Sequence, residues 1–142
     1  VSSNVAQRLL LDVNVLLALG WSEHQAHAQV LTRLHDAQPW ATCAIAQLGF
    51  IRISATPGIF HQPLSPERAA QALQALIADA QHSYIAEQHP PCAMPWSGVS
   101  GPKQTTDHYL LRLAQANGAR LLTLDRRLAN AFADAPVELI GD

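Results

Sequence analysis

The chain has 142 residues, 49% of them hydrophobic and 14% charged, which suits one compact domain with a sizeable buried core and excludes an intrinsically disordered chain. The formal net charge of −2 gives no global basic field, so a polyanionic ligand has to be held by a local arrangement or through metal ions. Cys43 and Cys92 lack metal-ligand spacing, so no disulfide framework is implied, and no apolar run is long enough to span a bilayer. A single cytoplasmic domain over residues 1–142, without a membrane segment, is therefore expected.

The first element is the apolar run Leu9-Leu10-Leu11, a strand that ends on Asp12. A short buried helix over Val13–Leu19 stops at Gly20, and a second helix from near Glu23 to His35 carries Ala26, Val30, Leu31 and Leu34 along one stripe. Trp40–Cys43 reads as a short strand, and Ile45, Leu48, Phe50 and Ile51 give the next segment a helical pattern. Residues 54–63 form a loop punctuated by Pro57-Gly58. Ser65-Pro66-Glu67 is a helix start, with a cap, a proline in the first turn and an acid beside it, and the helix is expected to reach about Ala80.

Ser83–Ala86 suggests an edge strand, followed by a long proline- and glycine-bearing loop over 89–101. Thr105-Thr106-Asp107 is read as the cap of a helix with Leu110, Leu111, Leu113 and Ala114 on its buried face, ended by Asn117-Gly118. The run Arg120-Leu121-Leu122-Thr123-Leu124 then ends on Asp125, before a short helix over 126–132 and a closing strand over 137–140. Strands alternating with helices imply an α/β domain with a parallel or mostly parallel sheet covered on both faces.

Asp12 and Asp125 each follow a strand and open a helix, and the carboxyl ends of parallel strands share one sheet edge. Taken singly, Asp12, Asp107 and Asp125 are helix caps or dipole partners. Taken together, three carboxylates on one edge suit a hard, oxygen-seeking cation such as Mg²⁺ or Mn²⁺. Asn14 and Thr123 either supply neutral oxygens and orient the acids or serve local turns, Thr123 alternating with Asp125 on one strand face.

Other constellations carry less. His24 and His27 lie three apart on a helix face but lack the further ligands a zinc site needs. His82, His89 and Cys92 are separated by prolines, and Gly98–Lys103 has no Walker spacing and is read as a turn. Eight arginines against one lysine suit bidentate phosphate contacts or ordinary surface ion pairs equally.

These motifs resemble those of PIN-domain proteins, and more narrowly VapC-type ribonuclease toxins of toxin–antitoxin pairs, over nearly the whole chain. Leu10-Leu11-Asp12-Val13-Asn14-Val15-Leu16 looks like the first acidic motif of that family. Thr106-Asp107-His108-Tyr109-Leu110-Leu111 and Gly118–Asp125 look like its paired C-terminal motifs. The resemblance implies a three-layer α/β/α sandwich, an endoribonuclease in which Asp12, Asp107 and Asp125 hold Mg²⁺ or Mn²⁺, and products with a 5′-phosphate and a 3′-hydroxyl. It also implies RNA as substrate, a cognate antitoxin and a homodimer.

The chain departs from the family pattern at Gln47, one turn into the helix after Trp40–Cys43, where a further acid is expected. Glutamine offers an amide oxygen without a charge. Glu23 and Glu87 are the nearest candidate substitutes. Two other readings follow: a catalytically silent PIN domain that binds antitoxin or RNA, and a phosphotransfer domain with an acidic Mg²⁺ site, which would need a lysine near the acids where the only lysine is Lys103.

Overall fold

The computed structural model describes residues 6–35 and 37–141. Five strands, β1 (Leu9–Leu11), β2 (Trp40–Thr42), β3 (His82–Tyr84), β4 (Arg120–Thr123) and β5 (Val137–Leu139), form one sheet in the order β3-β2-β1-β4-β5. Every pairing is parallel. The helices are α1 (Val13–Gly20), α2 (His27–Arg33), α3 (Ala44–Ser54), α4 (Pro66–Leu76), α5 (Thr105–Ala116) and α6 (Arg126–Ala131), with 3₁₀ turns at Pro91–Ala93 and Pro102–Gln104.

The fold is a three-layer α/β/α sandwich, as the alternation of elements implied. In its central strand Leu9, Leu10 and Leu11 are all buried, which is why this strand reads as an unbroken apolar run instead of alternating. Each such leucine removed from water contributes about 1.5–3 kcal/mol. Leu121 and Leu122 of β4 are equally buried beside it. The edge strands β3 and β5 are only partly covered and correspondingly more polar.

Helix α1 sits close to α3 because Gly49 leaves room for Val13: a Cβ at position 49 would lie 2.7 and 2.8 Å from the two Val13 methyls. Gly118, at φ +65°, turns the chain from α5 into β4 in a conformation that a β-carbon disfavours.

The structure differs from the sequence reading in two helix boundaries, in the exposure of two leucines and in one cap. Helix α2 begins at His27, not near Glu23, because the Glu23 carboxylate accepts the His61 N–H (2.8 Å) and the His24 ring accepts the Ala26 N–H (3.0 Å). Helix α4 stops at Leu76, since Asp79 closes a local turn by accepting the Gln81 N–H at 2.8 Å. Leu31 and Leu48, placed on apolar patterns, are 47% and 66% exposed. Thr105-Thr106-Asp107 is not a cap: α5 has no side-chain cap bond, and the Thr105 hydroxyl donates to the Pro102 carbonyl at 2.9 Å. Asp107 stands inside the first turn, its carboxylate not used for capping.

Candidate active site

The strand order changes direction between β1 and β4: the chain leaves β1 for β2 on one side, and β4 lies on the other. In open parallel sheets the crevice outside such a switch point is where ligands bind. Asp12 follows β1 directly and Asp125 follows β4 after one residue, so both acids stand at this crevice. The Asp12 N–H is tied across it to the Leu122 carbonyl at 3.1 Å.

Asp12 is both a cap and a buried charge. Its Oδ1 accepts the backbone N–H groups of Asn14 (2.9 Å) and Val15 (3.3 Å) at the start of α1. Its Oδ2 accepts the Thr123 hydroxyl at 2.5 Å. Only 7% of the residue is exposed, and burial raises its carboxyl above the ordinary range, opposed by these three bonds and reinforced by the charge of Asp125. Asp125 repeats the pattern on α6, with Oδ1 accepting from Arg127 N (2.9 Å) and Leu128 N (3.3 Å), but it is exposed.

Asp107 arrives from the other direction, on the first turn of the helix that leads into β4. Its position is fixed by the next residue. His108 is buried, its Nε2 meets the Pro95 carbonyl at 2.8 Å, and its ring packs against Trp96, whose Nε1 donates to the Pro91 carbonyl at 2.8 Å. The long loop is thereby pinned to the helix that carries the acid. Burial, and then the charges of Asp12 and Asp125, push the Asp107 carboxyl up to about 6. The charges of the three acids therefore act on one another.

Thr123 is fully buried and joins two of them, since its oxygen also accepts the Asp125 N–H at 3.0 Å. Asn14 is exposed on the first turn of α1, beside the Asp12 cap.

Gln47 turns toward β2, where its Nε2 donates to the buried Thr42 hydroxyl at 3.0 Å, and the same oxygen meets His82 Nε2 at 2.8 Å. Glu23 is spent on His61 N, and Glu87 accepts the Tyr109 hydroxyl at 3.2 Å, so neither is committed to the acids. The paired histidines are also used locally: His24 Nδ1 takes the Ala26 N–H, and His27 Nδ1 meets the Ala18 carbonyl at 2.7 Å. Cys43 is buried and Cys92 exposed, both free. The Gly98–Lys103 segment is a turn, closed by Gln104 accepting from Ser100. The Thr42–His82 link was not legible in the sequence, since the two residues lie forty positions apart and meet only through the β2–β3 pairing.

Among the described residues, no three or more His, Cys, Asp or Glu side chains form a group that could hold a metal ion by themselves. A hard cation such as Mg²⁺ takes oxygen donors and fills much of its shell with water and substrate phosphate. The donors are oxygens, and mutual repulsion at Asp107 is what a bound cation would relieve. No helix among the described residues is long and apolar enough to cross a membrane.

The PIN domain family model matches residues 9–133. The chain is 35% identical to Ribonuclease VapC38 of Mycobacterium tuberculosis over 92% of its own length and 96% of the relative's. It is also 35% identical to Ribonuclease VapC39 of the same species, over 92% and 98%. Among solved structures, it superposes with VapBC2 from Rickettsia felis bound to a DNA fragment from their promoter (TM-score 0.61, 12% identity, 93% of this chain and 98% of the other). It does so equally with VapBC-1 from nontypeable Haemophilus influenzae (TM-score 0.61, 14% identity, 94% and 98%). A continuous match from β1 to beyond α6, the parallel sheet and the acids at its switch point lead to one assignment: the chain belongs to the PIN-domain family and, within it, to the VapC type.

Proposed function

We propose that this protein is a divalent-metal-dependent endoribonuclease, a single cytoplasmic domain that acts as the toxin of a toxin–antitoxin pair. The observation that carries the reading is the placement of Asp12 and Asp125 at the carboxyl ends of the adjacent strands β1 and β4, bridged by the buried Thr123 hydroxyl, with the charges of both felt by Asp107. The ribonuclease names of relatives aligned over nearly the whole chain support the same substrate class.

Asp12, Asp107 and Asp125 would hold the Mg²⁺ or Mn²⁺. When bound, such an ion supplies Lewis-acid stabilisation of phosphate oxygens and a water that loses its proton near neutral pH. The remaining work belongs to the chain. Thr123 holds Asp12 Oδ2 in place, and the first-turn N–H groups of α1 hold Oδ1, so Asp12 is oriented before substrate arrives. Asp107 spends no carboxylate oxygen on capping its helix, which leaves both for the ion and its water. A cognate antitoxin and a homodimer complete the reading, and both rest on VapC-type membership. Hydrolysis of RNA that is equal with and without EDTA would overturn it.

A second reading, a silent module that still binds antitoxin or RNA, is favoured by one observation: Gln47 offers no charge and its amide is committed to Thr42. Gln47→Glu separates the two. Cleavage gained only by the variant supports the silent module, and metal-dependent cleavage by the unaltered chain removes it.

A further inference from the structure

A cavity of about 500 Å³ opens beside the acids, between the start of α1, the turn into α2 and the segments that follow β4 and β5. Asn14, His24, Gln25, Gln29, Leu124 and Arg126 line it. Asn14 is two residues beyond Asp12 and Arg126 directly follows Asp125, so the cavity adjoins the crevice. We propose that it is a nucleotide subsite: it takes one nucleotide of the substrate RNA next to the phosphodiester that is cut, with Gln25 and Gln29 reading the base and His24 donating to the adjoining sugar or phosphate. The inference rests on the ribonuclease reading for the identity of the ligand.

Size and chemistry both point this way. The volume lies within the roughly 300–1,000 Å³ of small-ligand sites. Amide side chains present a donor and an acceptor on one plane, which matches the edge of a splayed, single-stranded base. Gln29 is already oriented: its Nε2 donates to the Gly141 carbonyl at 3.4 Å, which leaves Oε1 to accept from a base amino group. His24 has a fixed tautomer. Its Nδ1 accepts the Ala26 N–H at 3.0 Å, so the proton of the neutral ring is on Nε2, a donor suited to a phosphate or ribose oxygen.

The charge balance of the crevice gives this subsite a reason to exist. Three carboxylates repel a polyanion, and the net charge of −2 offers no compensating field. Arg126, the residue after Asp125, lines the cavity and adds positive charge to its local field. A neighbouring cavity of about 480 Å³ shares Asn14, His24 and Gln25, but its other walls are Leu17, Glu23, Ile53, Ile59 and Phe60. An apolar wall with a carboxylate is poorly matched to a nucleotide, so the two faces of the His24-Gln25 ridge are chemically distinct.

The test is fluorescence anisotropy of a short labelled single-stranded RNA in EDTA, where no metal-dependent cleavage occurs. The full chain is compared with Gln25→Ala/Gln29→Ala and with Gln71→Ala/Gln74→Ala, exposed glutamines on α4 that serve as the control. The subsite double variant should bind about 5- to 20-fold more weakly, the equivalent of one or two hydrogen bonds, and the control should match the parent. Gln25→Glu should lose more than Gln25→Ala, because it adds repulsion as well as removing a donor. With 4-thiouridine in the RNA, photocrosslinks should fall on the peptide containing residues 24–29. Unchanged affinity in the double variant, or crosslinks confined elsewhere, would overturn the subsite. A parallel incubation with Mn²⁺ reads the ribonuclease proposal separately: RNA that is bound through this cavity but never cut sinks that proposal and leaves the subsite standing.

Discussion

Thr123 donates its hydroxyl proton to Oδ2 of Asp12 at 2.5 Å, across 111 residues of sequence and inside a site where neither residue is more than 7% exposed. The same oxygen accepts the Asp125 N–H at 3.0 Å, so one hydroxyl sets the spacing of two acids on adjacent strands. Thr123→Val keeps the shape and removes the donor. It should cost about 1–3 kcal/mol, the usual penalty for leaving a buried charged acceptor short of a partner. Urea denaturation at neutral pH checks this, with Thr123→Ser recovering most of the loss. A valine variant as stable as the parent would show that the bond does not hold Asp12.

The pH dependence of the metal-free protein carries a definite sign. Asp107 is lifted from 3.8 to about 6 by burial and by Asp12 and Asp125, so the folded protein takes up this proton more readily than the unfolded chain. Its contribution is fully present below about pH 4 and is lost as pH rises through about 6. Asp12, also raised, acts in the same direction. His24 and His82 are lowered by burial and act oppositely, losing stability as pH falls below their ordinary 6.5. Comparison with Asp107→Asn isolates the acid. In EDTA the variant should gain on the order of 1–2 kcal/mol over the parent near pH 7, allowing for screening at a half-buried group, and nothing near pH 4. Thermal melts across this range decide it, and added Mg²⁺ or Mn²⁺ should stabilise the parent more than the variant.

Gly49 supports the site from a distance. Alanine there would meet both branches of Val13, and because a β-branched side chain is stiff about χ1, no rotation clears both contacts. Val13 opens α1 directly after the Asp12 cap, so the strain is delivered to the acid. Gly49→Ala gains up to ~1 kcal/mol of helix propensity yet should lose about 1–3 kcal/mol to overpacking. A fall in melting temperature is the expected outcome, and a rise would contradict the close α1–α3 approach.

How far the site could be read from the sequence differs from residue to residue. The strands ending at Asp12 and Asp125 were plain because central parallel strands are buried on both faces and tolerate no polar interruption. Their role as caps was equally plain, and the structure has them capping with one oxygen each. The role of Asp107 was misread as a cap because Thr105-Thr106 looks like a helix start, whereas a 3₁₀ turn already precedes α5 and the Thr105 hydroxyl serves it. Contacts made by His24, Gln47 and His82 depend on chain segments brought together only by folding, or on a ring tautomer, and no local pattern encodes them.

The ion pair between α2 and the edge strand β5 gives an independent check on the fold around the proposed subsite. Arg33 forks onto Glu138 through Nε–Oε2 (2.5 Å) and Nη2–Oε1 (2.9 Å), with Nη1 donating to Gln38. The side chains are 35% and 27% exposed, so the pair is screened and Glu138→Gln should cost only about 0.5–1 kcal/mol. The loss should shrink as salt is raised. A loss that is large and independent of salt would mean that this contact is buried.

The most direct test of the central claim is cleavage of a structured RNA pool by the purified protein with Mg²⁺ or Mn²⁺, alongside EDTA and Asp12→Asn. Asparagine retains an oxygen for the α1 cap and removes the charge, so folding and metal holding are separated. The account expects cleavage by the parent and its loss in both controls, with Asp12→Asn still folded. Cleavage that persists in EDTA or in folded Asp12→Asn would contradict a metal held by these acids.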